Sequence, residues 1–472
     1  MRILLVDIGS TFTKGTLVDT TPPTLLARGQ SKTTIDTGVM HGVNAMLDAL
    51  EADGVARGFL SPSATRPFWD EARVCSSAAG GLKMVAVGLA KRLTAEAATR
   101  AALGAGARIL RTFSGSLTAK DLEAITALNP DMLLLSGGTD GGNRVNLVQN
   151  ARALATLPLR IPIVISGNSA VAPEAAAILS DFDATIVDNV MPQVNVLNAQ
   201  PARAAIRDLF MRRITHAKGL DDVVRIIGPV VMPTPDAVLE AMKLLARGTA
   251  QTSGIGDLIL ADVGGATTDI HSIGRGNDDR TTITIDGKRS ELRYEGLAEP
   301  WAKRTVEGDL GMRYSAQSLL ESVGEDALNA LYPADYPAEM EKRTQDTTFV
   351  PQTDAERAVD TAMARACVQT ALGRHMGTLR RDYEIGGNLP GRSVYYLSGK
   401  DLTDFPTLIG TGGVLVHNAH PERILAPEPE LLYPAHPALY VDREYILSAM
   451  GLLSAIDPEA ALTLTKTSLG LS

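Results

Sequence analysis

Cysteine is nearly missing: Cys75 and Cys367 are the only two in 472 residues. They lie far apart, in neither a CxxC nor a Cys/His grouping, which excludes a disulfide framework, a zinc finger or a Cys-ligated iron-sulfur cluster and fits a reducing compartment. Aromatic residues make up only 4% of the chain. No apolar run is long enough to span a bilayer, and the N-terminus reaches Asp7 too early for a signal-peptide core, so the reading is cytoplasmic with no membrane partner. Basic runs are absent too; the net charge is -9 and the densest positive clusters are pairs such as Arg212-Arg213, which disfavours nucleic acid. Neither GxxxxGK[ST] nor a GxGxxG after the first strand occurs, so Walker and Rossmann sites are disfavoured.

What is present is aliphatic. Hydrophobic residues reach 45%, supplied by Ala, Val, Leu and Ile, a balance suited to helices packed over parallel strands, and the length calls for at least two domains. The fold class expected is α/β. Residues 3–6 and 14–19 read as a hairpin with a polar turn, followed by a third strand near 25–30 and a helix over 39–50. From 108 to 190 apolar runs alternate with helical patterns, implying a parallel sheet and an inserted α/β module near 105–195. A helix over 235–246 precedes a Gly/Thr/Ser-rich turn at 248–256, taken as the boundary between a first lobe at 1–248 and a second at 249–445. Residues 334–353, rich in Pro, Thr and charge, read as an exposed connection, and 446–472 as a closing crossover helix.

Two motifs share one grammar of strand, aspartate, glycine turn, hydroxyls and return strand. The first is Asp7-Ile8-Gly9-Ser10-Thr11-Phe12-Thr13-Lys14; the second is Asp262-Val263-Gly264-Gly265-Ala266-Thr267-Thr268-Asp269. Glycine allows close backbone approach to a phosphate, amides and hydroxyls donate to it, and an aspartate can hold hydrated Mg2+. Either alone reads as well as a polar turn after a core strand; the pair is far more specific. A third glycine turn, Gly410-Thr411-Gly412-Gly413, comes late in the chain. A fourth, at 136–143, is read as a tight strand-to-helix turn, with another phosphate or ligand loop as the secondary reading, and 75–81 as a permissive stretch beside the first loop. His417 and His420 stand three apart with no third ligand nearby.

The second motif resembles the second phosphate loop of the seventy-kilodalton heat-shock chaperones, and the first resembles the matching first-lobe loop. That resemblance implies an actin-like ATPase of duplicated ribonuclease H-like lobes binding Mg-ATP. Asp7 and Asp262 would hold the magnesium through water, and Gly9, Ser10, Thr11, Thr13 and Lys14 with Gly264, Gly265, Ala266, Thr267 and Thr268 would surround the phosphates. Asp269 would orient the loop or the attacking water, making Asp7, Asp262 and Asp269 the candidate catalytic groups, and Gly410 to Gly413 would lie against adenosine.

Over most of its length, at 7–14, 76–82, 135–142, 229–242, 262–269 and Glu307-Gly308-Asp309-Leu310-Gly311-Met312-Arg313, the chain resembles the glutamate mutase accessory proteins of the MutL type. The resemblance implies a chaperone-like ATPase that reactivates a cobalamin-dependent mutase, with ATP and ADP as ligands and the mutase as protein partner. A small-molecule kinase of the same fold is the alternative, because sequence does not say whether water or a substrate hydroxyl attacks the γ-phosphate. A homodimer is left open.

Overall fold

The computed structural model describes residues 1–34, 38–77, 82–91, 93–103, 107–216, 220–275, 280–384, 392–428 and 431–471. The chain divides into two compact units, Met1–Gly254 with Ile446–Ser472, and Ile255–Tyr445.

In the first unit, β1 (Arg2–Ile8), β2 (Phe12–Thr20) and β3 (Pro23–Lys32) form an antiparallel meander, and helix α1 (Val39–Ala56) leads to β4 (Glu71–Ser76), parallel to β1. β1 is central, which is why residues 3–6 are apolar without alternation and fully buried. The crossover out of β4 carries β5 (Leu82–Gly88), α2 (Thr94–Leu103), β6 (Ala107–Ser114), α3 (Ala119–Leu128), β7 (Met132–Leu135), α4 (Val145–Ala155), β8 (Ile163–Ile165), α5 (Ala172–Ile178) and β9 (Ala184–Ile186). These strands make a separate all-parallel sheet, order β6-β5-β7-β8-β9, over a core that includes Leu133, Leu135, Leu147 and Ile165. It takes in Leu82–Gly88, earlier than the alternation from 105 suggests, because the apolar run there pairs between β6 and β7. Helices α6 (Gln200–His216) and α7 (Leu220–Ile226) then return to β10 (Val230–Pro233), which pairs with β4, and α8 (Thr234–Arg247) follows. The main sheet order is β10-β4-β1-β2-β3.

The second unit repeats that plan. β11 (Leu258–Val263) and β12 (Thr268–Ile273) form a hairpin; β13 (Thr282–Ile285) and β14 (Lys288–Tyr294) intervene before the third main strand, β15 (Ala302–Glu307). Helices α9 (Ala316–Val323), α10 (Glu325–Leu331), α11 (Tyr336–Gln345) and α12 (Asp354–His375) precede β16 (Thr378–Glu384) and β17 (Arg392–Ser398). Then come β18 (Thr407–Thr411), short α13 (Gly413–Val416) and α14 (Glu422–Leu425), and β19 (Ala438–Val441). The main sheet runs β15-β12-β11-β18-β19, strand for strand the order of the first, while β13-β14-β17-β16 make a small sheet that the sequence pattern did not announce. The chain ends in the first unit with α15 (Leu447–Ser454) and α16 (Pro458–Leu469), so 446–472 holds two helices rather than one, divided where Asp457 caps the Pro458 turn. A Cβ on Gly451 would fall 1.7 Å from the Ala237 carbonyl oxygen, so only glycine lets α15 lie this close to α8.

The expected exposed connection at 334–353 is corrected: α11 lies there, with Tyr336, Met340 and Arg343 buried. Its charge misled because Arg343 is fully buried against carboxylates, bonding Asp360 at 2.7 Å and pairing with Glu339. Three antiparallel strands, a helical passage, two parallel strands and a closing helix thus occur twice, α8 and α15 standing at equivalent places. This is the duplicated α/β sheet of an actin-like fold.

Candidate functional site

The two Asp-Gly motifs fold into the same turn. Asp7 pairs across its hairpin with Lys14, and Asp262 with Asp269. In each, the glycine two residues on closes the turn: Gly9 N–H donates to Phe12 O at 3.0 Å, and Gly264 N–H to Thr267 O at 2.9 Å. A Cβ at Gly9 would lie 2.7 Å from that Phe12 oxygen, so glycine is required there by the turn itself.

In the first loop the Asp7 carboxylate is buried and well supplied. It accepts from Thr234 Oγ1 at 2.6 Å and Ser448 Oγ at 3.0 Å, and pairs with Lys14 Nζ at 3.1 Å. Lys14 is therefore bound to the aspartate rather than extended from the loop. Burial pushes the neighbouring Cys75 thiol well up, the Asp7 charge adding to it, so that sulfur is an inert thiol. Thr13 is fully buried and hydrogen-bonds Thr33 Oγ1 at 3.0 Å, so its hydroxyl is turned into the sheet; Ser10 and Thr11 are half-buried. Sequence reasoning missed Thr234 and Ser448. Thr234-Pro235 signals a helix start but not its target, and Ser448 carries no signal at all.

In the second loop, Asp262 stands at the end of β11, level with Thr411 on β18. Asp269 is held by Arg304 through Nε at 2.9 Å and Nη2 at 2.5 Å, and accepts from Thr267 Oγ1 at 3.1 Å. The Asp269 carboxylate is thus engaged by both the Arg304 guanidinium and the Thr267 hydroxyl of its own unit. Thr268 is buried and donates to Leu310 O at 2.8 Å, again turned inward. Among the described residues none accepts a hydrogen bond from the backbone N–H of Gly265, Ala266 or Thr267. Three adjacent uncommitted amides are the donor set that a nest offers an anion. Beside the loop, Glu307 pairs with Arg374 at 2.8 Å, which also reaches Asp309 at 2.9 Å; burial, opposed by Arg374, raises the Glu307 carboxyl above the usual range.

The late glycine turn is adjacent to this second loop. Gly410 and Thr411 end β18, and Thr411 Oγ1 donates to the buried Asp442 at 3.2 Å. Gly412 has φ 102°, and its Cβ would meet Val263 O at 2.2 Å, so packing against β11 already demands glycine; Gly413, opening α13, has open space beside it. Within the second unit the structure thus brings Asp262, Gly264 to Asp269 and Gly410 to Gly413 to one end of one sheet. Asp7 and Gly9 to Lys14 stand at the corresponding end of the first unit's sheet.

The 136–143 loop is folded onto its neighbours. Asp140 accepts from Ser169 N–H at 2.9 Å and Asn189 Nδ2 at 3.0 Å, and Ser136 Oγ bonds Val87 O at 2.9 Å. It joins β7 to α4 as a tight strand-to-helix turn. Of the stretch 75–81, Cys75 and Ser76 end β4 and residues 78–81 lie outside the described residues. His420 pairs on the surface with Glu422 at 3.1 Å, and among the described residues no group of three or more His, Cys, Asp and Glu is gathered as for a metal. Nor, among them, is any helix long and apolar enough to cross a membrane.

Comparison with known proteins agrees in extent. Solved structures of distant likeness include the activator of the 2-hydroxyisocaproyl-CoA dehydratase from Clostridium difficile with bound ADPNP, 9% identical, covering 99% of this chain and 96% of that one at a TM-score of 0.31. Glycerol dehydratase reactivase is another, 11% identical over 96% and 99% of the two chains at a TM-score of 0.34. Protein MutL of Clostridium tetanomorphum is 43% identical over 480 residues, covering 98% of each chain. The MutL protein family model matches residues 3–469, and the chain belongs to that family.

Proposed function

We propose that this protein is a Mg-ATP-binding and ATP-hydrolysing accessory factor that services a cobalamin-dependent mutase of the glutamate (methylaspartate) type, exchanging damaged cofactor for intact. The observation that carries the nucleotide part is the second loop: three successive N–H groups, of Gly265, Ala266 and Thr267, have no acceptor among the described residues, in the turn that follows the half-buried Asp262. Those residues fit the β- and γ-phosphates, with Asp262 on hydrated Mg2+. Gly9, Ser10 and Thr11 make the matching turn in the first unit, where the Gly9 N–H is taken by Phe12 O and Ser10 and Thr11 offer hydroxyls to a phosphate. There Asp7 is already neutralised by Lys14, which supports a part for Lys14 in exchanging between carboxylate and phosphate. When bound, Mg2+ would supply charge neutralisation at the phosphates. Membership in the MutL family, with the resemblance to glutamate mutase accessory proteins, supports the mutase as client.

Calorimetry with Mg-ATP tests the first part. Binding that is lost in Asp7→Ala and in Asp262→Ala supports it; a wild-type protein that binds no nucleotide sinks it. Phosphate release without an acceptor, unchanged by a panel of sugars and acids, separates an accessory ATPase from a small-molecule kinase. A pull-down with glutamate mutase that fails in every nucleotide state removes the client.

A further inference from the structure

Thr13 and Thr268 occupy the same place in the duplicated hairpin, six residues past Asp7 and Asp262 and the first or second residue of the returning strand. Both are fully buried. Each commits its hydroxyl to the chain that leaves the third strand of its own sheet. Thr13 Oγ1 bonds Thr33 Oγ1 at 3.0 Å just past β3, and Thr268 Oγ1 donates to Leu310 O at 2.8 Å just past β15. Backbone bonds reinforce both ties. In the first unit Thr33 N–H donates to Thr11 O at 2.9 Å. In the second the hold is fuller: Met312 N–H donates to Gly264 O at 3.0 Å, Arg313 N–H to Gly265 O at 2.8 Å, and Ser315 Oγ to Ala266 O at 2.7 Å. Gly311 lies against this loop so closely that a Cβ would sit 2.6 Å from the Ala266 carbonyl carbon.

Three consecutive loop carbonyls are thereby taken by one segment. A peptide unit whose oxygen is fixed has its N–H fixed as well, because the group is planar. The segment from Gly308 to Ser315 therefore sets where the amides of Gly265, Ala266 and Thr267 aim. The segment is itself anchored, since Arg313 bonds Phe349 O at 3.1 Å and Asp360 at 2.7 Å.

We propose that Thr13 and Thr268 are positioning residues that hold the two phosphate loops in their anion-binding shape, and that in the second unit Ser315 extends the hold. The proposal rests on the reading of these loops as nucleotide-phosphate sites. It assigns the threonine hydroxyls to the chain that leaves the third strand of each sheet and not to the ligand.

The test uses the full-length protein and calorimetry with Mg-ATP and with AMP, which lacks the β- and γ-phosphates. Thr268→Val keeps shape and volume but leaves the buried Leu310 carbonyl without its donor. Mg-ATP affinity is expected to fall about tenfold while AMP affinity stays within about twofold, and Thr268→Ser is expected to restore the ratio. Thr13→Val should act in the same direction. A merely structural threonine would lower the melting temperature and leave the ATP-to-AMP ratio at its wild-type value, and that outcome overturns the proposal. If Thr268→Val does not fold, Ser315→Ala provides the same reading from the other side of the loop. Failure of the wild-type protein to bind Mg-ATP would overturn the nucleotide reading first and this inference with it; wild-type binding with an unmoved ratio overturns this inference alone.

Discussion

Asp7 shares one buried carboxylate among Lys14, Thr234 and Ser448, and so its charge is met within the protein. Removing the cation alone, as in Lys14→Met, leaves that carboxylate with two hydroxyl donors and no counter-charge. Stability is expected to fall by about 3–5 kcal/mol, the range for breaking a buried pair from one side. Thermal melts with and without Mg2+ check this, with partial recovery expected in the metal. His375 gives the second prediction at this scale. Its ring lies between Thr305 Oγ1 and Ser272 Oγ, each at 2.8 Å, and burial, then Lys303, Lys400 and His271, push its pKa well below 6.5. The folded state thus holds it neutral while the unfolded chain takes up a proton as pH falls past about 6.5. Its contribution is complete above that pH and declines below it. Denaturant unfolding of wild type at pH 7.5 and 5.5 should show the loss, and His375→Gln should lessen it. At residue scale the aspartates and glycines of both loops were legible as equivalent turns, because the same Asp-x-Gly grammar after an apolar run occurs twice. Thr234 and Ser448 were not, since they reach Asp7 from segments far away in the chain.

The elements most misjudged are those whose composition contradicts their burial. Helix α11 has acidic and basic residues at close intervals, yet Arg343 is fully buried, and Asp360 on α12 accepts from both Arg343 and Arg313 at 2.7 Å. Polarity alone reads as solvent, and only the pairing reveals a core. Asp360→Ala would take the shared carboxylate from two guanidinium groups at once, leaving Arg343 with Glu339, and a loss of about 3–5 kcal/mol is expected, measured by urea unfolding. The parallel module was legible for the opposite reason: its central strands β7 and β8 are wholly apolar and its helices are well signalled, as where Thr118 and Asp121 form the capping box that starts α3. The small sheet β13-β14-β17-β16 was hidden because its strands are polar on exposed positions and come from two separated stretches.

For the whole molecule, the duplication explains why sequence reasoning reached the fold. Two hairpins with one grammar announce two equivalent sheets, and the remaining strands follow from chain order. The repeat does not extend to what is threaded between fourth and fifth strands. Among the described residues, that passage in the second unit holds α13 and α14, whereas in the first it holds the five-stranded module and two further helices. The neighbours β4 and β10 cannot pair until everything between Ser76 and Val230 has been brought into a small volume. Joining distant chain ends carries an entropic penalty that slows assembly when the intervening segment is disordered. An intervening segment with its own apolar centre shortens that span before the ends meet. Pulsed hydrogen exchange during refolding should therefore protect the amides of β5, β7 and β8 ahead of those of β10, which makes the completion of the first unit's sheet a late, docking-limited event.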